Sequence, residues 1–245
     1  MTPVLLLAFT LAAEPFPYAA AEAELSEAIT PAELKAHVYR LASPEFRGRR
    51  GPGAARAAQH IADLFKKAGL APAFGDSYFQ DIPWLLGNDN GRPSFVGRNV
   101  GAMLPGSDPA VRDEWIVLSA HYDHLGQTGE TLFPGADDNA SGVAMLIEVA
   151  EAFALQKHKP RRTILFVAFD LEEQGLQGSV HFAAHPPRPF GQLKAFLTAD
   201  LIGRSMGNVM DETVYVLGSE SSPGLRRVVT EVKPESGLTV GRLGA

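Results

Sequence analysis

Two adjacent glutamates, Glu172 and Glu173, follow the apolar run T-I-L-F-V-A-F that ends at Phe169. Neighbouring carboxylates at the end of a buried strand repel one another. A cation bound by one of them removes that repulsion. The other is then poised to take a proton from a metal-activated water. The plainer alternative is a solvated acidic turn. A second apolar run ends in H-Y-D-H, with His121 and Asp123 two residues apart. If strand geometry extends that far, both point to one face, and a carboxylate beside a metal-binding imidazole fixes its tautomer. The alternative here is a surface His-Asp pair. Asp137 and Asp138 lie in P-G-A-D-D-N-A-S-G, on a glycine-rich turn that opens a helix. Acids there also serve as ordinary caps. Asp200 follows a third apolar stretch, Ala195 to Ala199.

These side chains must be delivered by elements that the apolar pattern predicts. Thr30-Pro31-Ala32-Glu33 has the form of a capped helix start, followed by Leu34, Val38 and Leu41 at helical spacing. Residues 54–68 read as a helix closed by Gly69. Strands are expected at 99–103, 115–120, 163–169, 195–199 and 213–217, with helices at 143–153, 174–184 and 224–232. Strands alternating with helices imply an α/β fold with a mostly parallel central sheet flanked by helices on both faces. Sites in such sheets form beyond the carboxyl ends of strands, which is where His121, Glu172, Glu173 and Asp200 fall. The aromatics Phe74, Tyr78, Phe79 and Trp84 are expected to close the core. The three arginines of R-G-R-R-G-P-G (Arg47, Arg49 and Arg50) are expected to form a solvated turn, with contact to a substrate or an acid cluster as the alternative.

The chain has 245 residues, 45% hydrophobic and 20% charged, enough for a sizeable core. A net charge of −6 without a long basic run argues against nucleic acid as a partner. There is no cysteine, so any metal must be held by His, Asp and Glu. Met1 to Ala13 carries an apolar stretch of signal-peptide length, too short to span a bilayer. A leader over residues 1–25, export, and a catalytic domain over residues 26–245 are expected.

The order H-Y-D-H, P-G-A-D-D-N-A-S-G, E-E-Q-G-L-Q-G-S and A-D-L-I-G-R resembles the co-catalytic dizinc aminopeptidases of metallopeptidase family 28, clan MH. Weaker likenesses extend the resemblance from Leu41 to Ser222. It implies a zinc-exopeptidase fold and two zinc ions. His121 and Asp200 would hold one ion, Glu173 the other, and Asp138 would bridge them. Glu172 would be the general base, Asp123 would support His121, and the peptide after Asp138 would be cis. The implied activity is release of N-terminal residues from peptides that carry a free α-amino group. A carboxypeptidase, a glutaminyl-cyclase-like relative and a degenerate binding protein are the alternatives.

One departure stands out. Members of that family carry a second histidine ligand downstream of the acid matched by Asp200, whereas all seven histidines here precede Asp200. The expectation is therefore a domain lacking its C-terminal part. One metal position keeps three ligands, and the second is left with Asp138 and Glu173. His124, His181 and His185 are the candidates to substitute.

Overall fold

The computed structural model describes residues 17–83, 97–205, 213–231 and 239–243. The Met1–Ala13 stretch and Trp84 lie outside these residues. Helix α1 (Tyr18–Ala28) takes in the alanine-rich tract and buries Ala21. Thr30 Oγ1 accepts the Glu33 amide at 3.3 Å and donates to the Glu33 carboxylate at 2.6 Å. That cap, with Pro31 in the first turn, starts α2 (Pro31–Leu41). Helix α3 (Pro52–Lys67) buries Ala54, Ala57, Ala58, Ile61, Ala62 and Phe65, a stripe at helical spacing.

The strands follow in the order β1 (Ala71–Pro72), β2 (Phe79–Ile82), β3 (Gly97–Leu104) and β4 (Trp115–His121). A small hairpin, β5 (Gly126–Thr128) and β6 (Thr131–Phe133), precedes α4 (Gly142–Leu155). Then come β7 (Thr163–Phe169), α5 (Gln177–Ala184) and β8 (Leu193–Thr198). The chain continues through β9 (Thr213–Leu217), α6 (Pro223–Glu231) and β10 (Thr239–Leu243). The central sheet runs β1-β3-β7-β4-β8, with β2 also paired to β3. Strands β7, β4 and β8 are mutually parallel, while β3 is antiparallel to β7 and to β1 and β2. The sheet is thus mixed, and its parallel half carries the predicted site. Strands β9 and β10 pair with each other in a separate parallel ribbon.

All seven residues of β7 are buried, as its unbroken apolar run requires of a strand covered on both faces. Ile164, Phe166 and Ala168 pack with α3 and α4, through Ile61, Phe65, Leu146 and Ile147. Leu165, Val167 and Phe169 pack on the other face with Trp115, Val117 and Phe182, the last from α5. Phe74, Tyr78 and Phe79 pack against these two clusters, so their role is in the core. This double cover fixes the height of β7, and through its register with β4, where His121 is opposite Phe169, it fixes where both strands end. No helix among the described residues is long and apolar enough to cross a membrane.

Candidate metal centre

Three adjacent parallel strands end at one edge. β4 ends in His121, β7 is followed by Glu172 and Glu173, and β8 is followed by Asp200. Asp138 reaches the same place from the irregular turn before α4, and its peptide to Asn139 is cis, as the resemblance implied. His121 Nε2 lies 3.3 Å from Asp138 Oδ1 and 3.3 Å from Asp200 Oδ1. On the other side, His124 Nδ1 lies 2.7 Å from Glu173 Oε1 and 3.7 Å from Asp138 Oδ2. The described residues thus hold two groups of possible ligands, His121-Asp138-Asp200 and His124-Asp138-Glu173. Of the three candidates to substitute, His124 is the one that lies beside Asp138 and Glu173.

Both groups suit zinc by donor type. Ligand bonds of about 2.0–2.1 Å in a tetrahedron set neighbouring ligand atoms roughly 3.3–3.4 Å apart. The His121 contacts match that edge, and the His124 contacts bracket it. The charge pattern agrees. Burial works to lower the His121 pKa, yet Asp123 and Asp200 overcome it and raise it to about 10. The His121 hydrogen bond in turn lowers the Asp200 pKa against the effect of partial burial. In the metal-free protein a protonated imidazole is therefore the cation around which these carboxylates gather.

Asp123 behaves differently from the simple expectation. Its Oδ1 lies 3.6 Å from His121 Nδ1, too far for a hydrogen bond, and Nδ1 has no hydrogen-bond partner. Asp123 acts on His121 through charge. Its hydrogen bonds go to the amides of Glu172 and Glu173. Asp137 is not drawn into either group. It accepts from the Gly203 amide and from Arg204, which ties the segment after Asp200 to the turn bearing Asp138. Asn139 adds a second tie, donating to the Ala199 carbonyl at 2.9 Å.

Glu172 is partly buried, and its pKa is raised by burial and by Asp123, Glu173 and Asp200, against the opposing charge of His121. It shares with His121 and Asp200 the rim of a hollow of about 220 Å³, whose apolar wall is Phe169, Leu176 and Phe196. Leu171, just before Glu172, has φ 56°, and Leu201, just after Asp200, has φ 51°. Left-handed backbone is uncommon for leucine, and here it occurs directly beside two candidate residues.

Arg49 departs from the solvated turn expected of it. Arg49 is fully buried, and its five N–H groups all reach carbonyls, those of Leu41, Tyr122, Pro134, Gly135 and Asp138. It clamps the end of β4 to the Asp138 turn. Burial lowers its pKa to about 10 while Asp123, Asp138 and Glu173 favour its charged form, so it is a fixed cation at neutral pH. Its neighbours Arg47 and Arg50 are exposed, as expected of a turn.

The family model described as peptidase family M28 matches residues 99–240. The chain belongs to peptidase family M28. A probable zinc metalloprotease of Pyricularia oryzae is 35% identical over 84% of this chain and 43% of its own length. Leucine aminopeptidase 1 of Trichophyton equinum is 32% identical over 48% of this chain and 32% of its own. The chain spans less than half the length of these curated relatives. Among solved structures, LapB from Legionella pneumophila superposes with a TM-score of 0.68 at 26% identity, over 94% of this chain and 59% of that one. A Porphyromonas gingivalis glutaminyl cyclase shares the fold at 20% identity and a TM-score of 0.65, over 89% of this chain and 77% of that one. Membership in M28 makes the chain a member of a zinc peptidase family with an α/β fold.

Proposed function

We propose that this chain catalyses zinc-dependent removal of N-terminal residues from peptides, with Glu172 as general base. The observation that carries the reading is the placement of Glu172. It has a raised pKa and shares one hollow with two members of the His121-Asp138-Asp200 group. The similarity to a leucine aminopeptidase supports the aminopeptidase assignment.

His121, Asp138 and Asp200 would hold a zinc ion, and Glu173 would serve a second position with Asp138. A bound zinc would supply Lewis acidity to a water and to the scissile carbonyl. Glu172 would take a proton from the attacking water and return it to the departing amine. A carboxylate with a raised pKa suits both transfers, because its basicity lies nearer the working pH. Phe169, Leu176 and Phe196 offer an apolar wall for the side chain of the residue being released.

The test is hydrolysis of aminoacyl-nitroanilides by the zinc-loaded chain, with N-acetylated versions as controls. Leucyl and phenylalanyl substrates should turn over and acetylated ones should not. Glu172→Gln should lower kcat by about 10²–10⁴ while zinc stays bound. Equal cleavage of blocked substrates would overturn the aminopeptidase reading. Full activity in Glu172→Gln would overturn the base assignment.

A further inference from the structure

We propose that His181 and His185, at the outer end of α5, form a two-imidazole site for a late first-row divalent ion, Cu²⁺ most tightly, separate from the candidate metal centre. Neither residue belongs to the two ligand groups around Asp138, and neither lines the hollow beside Glu172.

The two histidines stand four apart in H-F-A-A-H, so a helix sets them one turn apart on one face. Histidines at this spacing are a recurring zinc-binding pair. The structure brings their rings to 4.4 Å between centres, with the planes 30° apart. Metal–nitrogen bonds of about 2.0–2.1 Å put the centres of two rings on one ion roughly 4.5–5.2 Å apart, from a right angle to a tetrahedral one. The rings therefore have to pivot, and hardly to separate, for each to turn one nitrogen toward a shared ion.

The surroundings suit a ligand pair. His185 Nδ1 lies 3.2 Å from the carbonyl oxygen of His181. A carbonyl only accepts, so Nδ1 carries the proton and Nε2 keeps its lone pair. That is the hydrogen bond by which metal-binding imidazoles are commonly held in one tautomer. Gln80 donates to the His185 carbonyl at 2.8 Å and ties this end of α5 to β2. Phe182, buried against Phe74, Trp115 and Phe169, fixes the rotation of the helix. The carbonyls at the C-terminal end of a helix favour a cation. Burial lowers the His181 pKa, and His185 lowers it further, which favours the neutral form that metals bind.

Helix capping is the competing account. It explains His185, whose Nδ1 and backbone amide both reach the His181 carbonyl. It gives the His181 ring no task, since among the described residues that ring has no hydrogen bond or ion pair. A proton on either ring repels a proton on the other, whereas one divalent ion satisfies both lone pairs. With two nitrogen donors and water for the remaining positions, Cu²⁺ ranks above Ni²⁺ and Zn²⁺.

The zinc-loaded chain, freed of excess zinc, is titrated with Cu²⁺ while released zinc is counted. Wild type should take up one copper without losing zinc, and its electron paramagnetic resonance spectrum should show coupling to two imidazole nitrogens. His181→Gln and His185→Asn each leave one arm of the chelate. Each should bind Cu²⁺ at least about tenfold more weakly and lose the two-nitrogen pattern. Wild-type zinc content and near-ultraviolet circular dichroism in both variants would show that they fold. Copper taken up only in exchange for zinc, or bound by both variants as tightly as by wild type, overturns the site. Neither result bears on the zinc peptidase reading, because no residue of the candidate centre takes part.

Discussion

Asp123 accepts the backbone amide of Glu172 at 3.0 Å, and its other oxygen accepts that of Glu173 at 3.2 Å. One carboxylate at the end of β4 therefore sets the position of the proposed base and of a candidate ligand beyond the end of β7. The same group biases His121 toward its charged form. Asp123 is a positioning residue for three groups at once.

Asp123→Asn tests that role. An amide offers one acceptor oxygen, so its NH₂ must face one of the two backbone donors. We expect zinc affinity to fall by about 10–100-fold and stability by about 1–3 kcal/mol. Competition with a chromophoric chelator and urea unfolding measure the two effects. Unchanged zinc affinity would show that Asp123 does not position the ligands.

Arg49→Met leaves five carbonyls without their shared donor and separates the end of β4 from the Asp138 turn. We expect a loss of at least about 3 kcal/mol, in the range reserved for broken buried networks. Arg49→Lys should not rescue it, because one ammonium cannot reach carbonyls on three separate segments in a planar fork. Denaturant midpoints within about 0.5 kcal/mol of wild type would rule out the clamp.

How far the sequence announced this site depends on the residue. The apolar run of β7 declared a strand buried on both faces, and that run places Glu172 and Glu173. Thr30 and Glu33 marked a helix start, because capping is a local interaction. Arg49 was not legible. In R-G-R-R-G-P-G all three arginines look alike, and it takes the positive-φ backbone of Arg47, Gly48 and Arg49 to send Arg49 inward while Arg47 and Arg50 stay out. The antiparallel direction of β3 was hidden for a related reason, since alternation reports which face is buried and not which way a strand runs. The sequence offered His124, His181 and His185 alike, because regular strand geometry ends at His121 and spacing could not tell which of them lies near Glu173.

Zinc should stabilise the chain measurably. Asp138, Asp200, Glu172 and Glu173 converge with few opposing charges, so the folded metal-free state carries their repulsion. A ligand that binds only the folded state adds about 2.7 kcal/mol at 100 times its dissociation constant. Thermal unfolding with increasing free zinc should show the rise, and chelator should reverse it. Asp138→Asn, which weakens both ligand groups, should flatten the response. A midpoint insensitive to zinc in wild type would contradict the centre as described.

Acid sensitivity should come in part from a residue remote from the metal centre. His60 on α3 has a depressed pKa, because burial disfavours the imidazolium and Arg40 and His37 add positive charge nearby. Its Nε2 has no hydrogen-bond partner, and its ring packs at 5.7 Å against Phe46. With the folded pKa below the unfolded one, near 6.5, the unfolded chain binds more protons as pH falls through that value. Stability therefore drops with pH below about 6.5. His60→Gln removes this titration, so its stability should fall less steeply than that of wild type between about pH 7.5 and 5.5. Parallel urea-unfolding series at fixed zinc measure both slopes. Identical slopes would mean that the ring reaches solvent when protonated, and that the acid sensitivity arises elsewhere.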